Sequence, residues 1–374
     1  MNNSSNKKVK NENLLINICR YALAIVFIFS GFVKAVDPLG GTYKIEDYFV
    51  AFDGFFASLK PLAFYFAIAL SSFELLLGLN LLFRIHLRRT AIFTLLFMLV
   101  MTPLTLYLAL TNPVSDCGCF GDAIKLTNWQ TFFKNIIILI PAVLLVIFTR
   151  KDKAVLLPHI EWSFVAVFIA VGVGVSVYGY RHLPLIDFLP YKTGTNIPEK
   201  MYVPKDAAVD KYETTFIYEK NGEQKEFTLE NYPKDDSTWV FVDQKTRVIS
   251  EGYKAPIHDL HITDANYEEI TDQIIYSEGE TWLLVMYDLN KTSEEGARAA
   301  QKIYDKYKNT SAKFYAVTAS GENEIQAFRL KTGVTYPFCN ADPITLKTMI
   351  RANPGLMLIR KSVIVGKWNW RDIE

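Results

Sequence analysis

Leu14-Leu15-Ile16-Asn17-Ile18-Cys19-Arg20-Tyr21-Ala22-Leu23-Ala24-Ile25-Val26-Phe27-Ile28-Phe29 opens a run that stays largely apolar as far as Val36. As helix, such a run can cross a bilayer core, which takes roughly 20 mainly apolar residues. A basic leader with Lys7, Lys8 and Lys10 precedes it, as in a signal peptide. No convincing small-residue cleavage site follows before Lys34, so the run reads as a retained helix. Four further stretches have the same character: Pro61–Phe83, Thr90–Leu110, Trp129–Phe148 and Ile160–Tyr180. Hydrocarbon does not tolerate unpaired backbone groups, so each stretch is predicted to be helical. Charged residues become dense after Tyr180. That segregation predicts a membrane all-α helical bundle followed by an aqueous α/β domain.

The expected organisation is a cytoplasmic leader over 1–13, a four-helix membrane domain over 14–150 and a fifth transmembrane helix over 151–180. A linker and β-rich segment over 181–278 and an α/β domain over 279–374 complete it. Lys and Arg number 40 against 39 Asp and Glu, and this balance does not point to nucleic acid. The lipid bilayer is the partner that composition implies.

Orientation follows from short basic loops. The leader is basic. Arg84-Ile85-His86-Leu87-Arg88-Arg89 joins spans two and three, and Arg150, Lys151 and Lys153 join spans four and five. With five spans, all three lie on one side, which is then cytoplasmic. The loops 37–60 and 111–128, and everything after Arg181, face the other side. In a bacterial inner membrane that side is the periplasm, where disulfides persist.

Four cysteines occur: Cys19, Cys117, Cys119 and Cys339. They are too few for a disulfide scaffold, and their spacing matches no four-ligand zinc site. Cys19 falls near the cytoplasmic end of span one. Cys117 and Cys119 fall in Asp116-Cys117-Gly118-Cys119-Phe120-Gly121-Asp122, beyond the helix stop at Asn112-Pro113. Gly118 has no Cβ and lets the chain turn tightly enough for the sulfurs to meet. A bridge across so short a ring departs from relaxed geometry and is easily reduced, which suits exchange better than stapling. A capped loop with bridged or idle cysteines is the plainer alternative. Asp116 and Asp122 are expected to discourage thiolate formation.

The same heptapeptide, after a third apolar helix, resembles the signature of MauE-type proteins, which group with the DoxX-like membrane proteins. Ser30-Gly31-Phe32-Val33-Lys34-Ala35-Val36-Asp37-Pro38 looks like the DoxX-type end of helix one. Glu74 in Glu74-Leu75-Leu76-Leu77-Gly78 looks like that family's acidic position in helix two. The resemblance spans residues 14–150. It implies a four-helix bundle similar to that of vitamin K epoxide reductase, and a role in disulfide chemistry or maturation of envelope proteins. MauE is linked to methylamine dehydrogenase maturation. Reductases of the vitamin K type keep a second cysteine pair beside a quinone. No CxxC occurs here, so no cofactor is assigned and quinone coupling is disfavoured. Lys34 and Glu74 are a candidate intramembrane pair, since ionisable groups in a bilayer usually pair. A structural tie is the first reading of that pair, and a proton or ligand role the second.

Beyond Tyr180, Arg181–Tyr191 reads as a juxtamembrane linker. Tyr212–Tyr218 and Gln224–Leu229 flank Asn221-Gly222, a hairpin signal. Thr238–Val242 is a further strand candidate. From Gly279 the pattern is βαβαββ: strand Trp282–Leu289, helix Ser293–Asn309, strand Lys313–Thr318, helix Glu322–Lys331 and an extended Tyr336–Cys339. A helix over Pro343–Arg351 and strands over Gly355–Arg360 and Val363–Trp368 follow. That order resembles a thioredoxin-like fold, with Pro354 where such folds place a cis-proline. The thioredoxin CxxC position reads Asn290-Lys291-Thr292-Ser293, so the domain is expected to bind a polypeptide or dock on the bundle. Cys339 reads as a small buried hydrophobe, or as a partner for the loop thiols. His258 and His261 share a spacing but no third ligand, so no metal is expected.

Two functions compete. One is a membrane thiol–disulfide exchange protein, accessory to the maturation of an unidentified periplasmic client, with Cys117 and Cys119 as its redox pair. The other is a non-catalytic scaffold whose outer domain binds a protein partner.

Overall fold

A computed structural model of the chain describes residues 2–114, 116–151, 156–234, 236–250 and 252–373. Lys153 lies outside the described residues, as do the side chains of Lys7, Lys8, Lys10 and Lys151. Among the described residues, five helices are long and apolar enough to cross a membrane: Leu14–Val36, Lys60–Phe83, Leu87–Thr111, Asn128–Phe148 and Pro158–Arg181.

The bundle is built from α1 (Asn2–Val36), α2 (Pro38–Phe52), α3 (Gly54–Ser58), α4 (Ala63–Phe83), α5 (Leu87–Thr111), α6 (Asn128–Phe148) and α7 (Pro158–Arg181). Its large exposed apolar residues, such as Val100, Ile137 and Val167, suit contact with lipid rather than water. α1 packs on α4 at two glycines. A Cβ on Gly31 would stand 2.4 Å from the Leu75 nitrogen, and one on Gly78 would stand 2.5 Å from the Ile28 nitrogen. Close backbone approach is how membrane helices gain packing energy without a hydrophobic drive between them. At the far end, buried Arg20 donates to the carbonyls of Leu81 and Leu82, at 2.8 and 2.7 Å. These belong to the last turn of α4, whose carbonyls lack helical partners.

The loop expected over 37–60 is largely helical. Asp37 caps α2 by accepting the Gly40 N–H at 2.9 Å, and Pro38 occupies its first turn. An acidic cap followed by proline is a strong helix start, a local signal that the order of spans does not use.

The aqueous part opens with α8 (Ile197–Met201) and a three-stranded antiparallel sheet of β1 (Lys211–Lys220), β2 (Glu223–Thr228) and β3 (Val240–Ser250), in the order β2-β1-β3. The β1–β2 turn places Asn221 at φ 54° and Gly222 at φ 83°, the left-handed pair that a tight hairpin needs.

A second sheet contains β4 (Ile262–Thr263), β5 (Glu280–Met286), β6 (Lys313–Thr318), β7 (Phe338–Ala341), β8 (Gly355–Arg360) and β9 (Val363–Asn369), in the order β4-β7-β6-β5-β8-β9. β5, β6 and β7 run parallel, while β8 and β9 are antiparallel to their neighbours. Around it lie α9 (Thr271–Ile275), α10 (Glu294–Tyr307), α11 (Glu322–Thr332) and α12 (Pro343–Met349). This is a thioredoxin-like α/β arrangement. Alternation along β5 builds two cores: Trp282, Leu284 and Met286 face one with α10 and α11, and Leu283 and Val285 face the other with α9 and α12. Tyr191, Ile197, Ile257 and Leu260 also enter the second core, so the sheet region draws on chain well before residue 279.

Candidate functional site: the thiol loop

Residues 112–128 connect α5 to α6, and both ends are fixed. α5 stops where Asn112 turns left-handed at φ 47°. Thr127 then starts α6 with a reciprocal cap, accepting the Gln130 N–H while the Gln130 side chain accepts its own. Asn128 donates to the Asn112 side chain at 2.8 Å and to the Val114 carbonyl at 2.9 Å, pinning one end to the other. Between these ends Gly118 and Gly121 adopt positive φ, of 61° and 52°.

Each arm of the motif is held by a different element. Lys44 of α2 pairs with Asp116 at 2.7 Å, and Asp116 also accepts the Gly118 N–H at 2.9 Å. The Tyr48 hydroxyl, also from α2, donates to the Cys117 carbonyl at 2.7 Å. From α1, the Ser30 hydroxyl lies 2.8 Å from the Cys119 carbonyl and 2.7 Å from Glu74. Lys34 and Glu74 form an ion pair at 2.6 Å, with Glu74 only 3% exposed. Lys34 also donates to Ser30 at 3.0 Å, so the pair is wired to the loop backbone through one hydroxyl.

Cys117 and Cys119 are free, half-buried thiols, hydrogen-bonded to each other. That bond, with the Lys134 and Lys34 ammonium groups behind it, outweighs burial and draws Cys119 down to about 6. Cys117, the donor to Cys119 and itself buried, is pushed up. Asp116 and Asp122, expected to discourage a thiolate, are not among the groups that move Cys119 most. Lys44 holds Asp116 and Arg351 holds Asp122 at 2.7 Å, while the cations that face the sulfurs are left to act.

Two clefts flank the loop. One, of about 360 Å³, is lined by Ser30, Lys34, Glu74, Phe97, Cys119 and Lys134 among others. The other, of about 560 Å³, runs between α2, α4 and α5 and reaches Cys117 and Cys119 along a mainly apolar wall.

The remaining candidates lie elsewhere. Cys339 sits on β7 inside the sheet core, 2% exposed, and burial pushes its thiol up to about 12. It is not part of the loop cluster. The Asn353–Pro354 peptide bond is cis. Asn353 donates to the Asp288 carbonyl at 2.9 Å and accepts from Thr292 at 3.0 Å, so this segment braces the turn that stands in place of CxxC. His261 is exposed beside Glu269 at 2.9 Å, and His258 contacts the Ala255 carbonyl. No cluster of metal-ligating side chains occurs among the described residues.

Sequence reasoning missed Ser30, Lys44, Tyr48, Lys134 and Arg351. Lys134 carried a signal, as a lone cation early in an apolar span. Ser30 stood in the quoted end of helix one without a role, and Lys44, Tyr48 and Arg351 carried no signal, because their roles depend on tertiary placement.

Fold and site together define a multi-pass membrane bundle with paired thiols at its rim, joined to a thioredoxin-like α/β region. Residues 12–148 match the family described as Methylamine utilisation protein MauE. Residues 212–251 match a Domain of unknown function (DUF8463). The chain is also similar to a solution structure from Bacteroides thetaiotaomicron, provisionally described as a protein disulfide isomerase. That likeness has 19% identity and a TM-score of 0.26, and covers 30% of this chain and 76% of that one. No curated protein matches the chain.

Proposed function

We propose that this protein exchanges thiols and disulfides with envelope proteins through Cys117 and Cys119, at the outer face of a bacterial inner membrane. The observation that carries the reading is geometric: two free thiols in contact at the end of a span, with the Lys34 and Lys134 ammonium groups beside Cys119. Those cations and the bond from Cys117 draw Cys119 down, while Cys117 is pushed up. A thiolate is the attacking species in exchange, and an attacking thiol works best with a pKa near ambient pH.

In the reducing direction the Cys119 thiolate attacks a client disulfide. A Cys119–client bond forms, the client S–S bond breaks, and the released client thiolate takes a proton. Cys117 then loses its proton and attacks the Cys119 sulfur, expelling the second client thiolate. The client gains two electrons and the pair becomes a disulfide. The reverse sequence oxidises a client dithiol.

Thiol trapping in growing cells tests this. Cys117→Ser removes the resolving thiol and is expected to leave mixed disulfides on Cys119. Cys119→Ser is expected to leave none. Free thiols throughout, with function intact in Cys117→Ser, would end the exchange reading.

A scaffold is the second reading, favoured by the cysteine-free turn at 288–293. It predicts that both serine variants lose stability alike and trap no client.

A further inference from the structure

Arg351 follows α12 in the sheet region, yet its guanidinium is bonded to the membrane bundle. Its Nε donates to Asp37 at 2.8 Å and its Nη2 to Asp122 at 2.7 Å, and the side chain is only 6% exposed. The Tyr43 ring of α2 lies 5.5 Å from the guanidinium carbon, and Lys347 lies 4.5 Å from the same ring. Asp37 is the cap of α2, and Asp122 ends the cysteine motif. One buried cation thus ties three parts of the molecule together. Removing it would leave two half-buried carboxylates without their shared cation, Asp122 keeping only the exposed Lys125 at 4.0 Å, which is unfavourable.

We infer that Arg351 is a positioning residue for the thiol pair: by bridging Asp37 and Asp122, the sheet region holds the loop so that Cys119 faces its cations. The inference deepens the exchange reading, since it concerns the same two thiols. The groups around Cys119 are Cys117 in the loop, Lys34 on α1, Tyr48 on α2, Glu74 on α4 and Lys134 on α6. Asp116 lies in the loop on Lys44, and Asp122 lies in the loop on Arg351. Only the last contact comes from the sheet region. Freed, the 116–122 segment is no longer drawn against α1 at its second end, and the sulfurs lose their fixed place beside Lys134 and Lys34.

The test uses the full chain in detergent, reduced beforehand, with iodoacetamide as probe and tandem mass spectrometry to read Cys119 apart from Cys117. Alkylation consumes the thiolate, forms the S–C bond and releases iodide, so its pH profile reports the thiolate of the folded loop. Arg351→Met is expected to move the profile upward by about half to one pKa unit, which slows alkylation at pH 5 by roughly three- to tenfold and at pH 7 by less than about twofold. Adding Asp122→Asn to that variant removes the facing charge and is expected to recover most of the rate. Arg351→Lys, which keeps the charge, is expected to fall between. An Arg351→Met profile that overlays the parent would overturn the inference. So would a slowed Arg351→Met that neither Asp122→Asn nor Arg351→Lys relieves, since Arg351 would then serve the fold alone. A protein that traps no client but keeps an Arg351-dependent profile would sink the exchange reading and leave the positioning role standing.

Discussion

On the proposed exchange reading, two residues carry the reactivity of the loop, and their difference is measurable. The folded-state pKa of Cys119 is depressed, so its thiolate is present above about pH 6 and is lost as pH falls through that value. Its alkylation should therefore rise through pH 6, whereas an unperturbed cysteine rises near about 8.5. Lys134→Met removes one of the cations that favour the thiolate, and is expected to shift the midpoint upward. Beneath the loop, Glu74→Gln would strand the buried Lys34 ammonium. Breaking one half of a buried ion pair costs roughly 3–5 kcal/mol, so a clear drop in thermal stability in detergent is expected. Replacing both partners with apolar residues should recover much of it, and a double variant no better than Glu74→Gln would count against a structural tie. Much of this site was legible. The motif gave both thiols, and the rarity of charge in a span singled out Lys34 and Glu74. The thiolate was not legible, because sequence reveals that Asp116 and Asp122 are near the cysteines but not that Lys44 and Arg351 hold them.

Among elements, the α1–α4 contact is the most exacting. Gly31 meets the Leu75 backbone so closely that any side chain must push the helices apart. Gly31→Ala is expected to destabilise the protein by about 1–3 kcal/mol, the usual cost of overpacking, with Gly31→Leu worse. Unchanged melting temperatures for both would show that the helices can separate freely. The five long helices were legible because apolar length is a coarse, local property. Strands β5, β6, β8 and β9 were legible from β-rich runs bounded by turn signals. Several others were not, β4 and α2 among them. The two-residue strand Ile262–Thr263 exists only because it pairs with β7. α2 falls in 37–60, which the order of spans alone reads as an inter-span loop, although Asp37-Pro38 offers an acidic cap followed by proline.

At the scale of the whole molecule, bundle and sheet region meet through polar contacts that no sequence window contains. Besides Arg351, the Tyr43 and Tyr287 rings meet edge to face at 6.3 Å, and Lys367 of β9, only 4% exposed, pairs at 2.6 Å with Asp187 in the linker that joins the two parts. Residues 37, 122 and 351 are too distant in the chain for periodicity to relate them. Sidedness belongs to this scale as well. The basic leader and the two basic links place the C-terminal region outside the cytoplasm on our reading. Alkaline phosphatase fused after Glu374 should be active, and fused after Arg150 inactive. The opposite pattern would overturn the five-span orientation and remove the oxidising compartment from the exchange proposal.

The β1–β2 hairpin offers a practical consequence. Asn221 and Gly222 form an exposed tip whose backbone conformation is set locally. Exposed tips of small polar residues are where chains best accept inserted sequence. A short epitope between these two residues should leave the thiol loop and the Arg351 bridge untouched. It would mark the far face of the protein for antibodies added to intact spheroplasts.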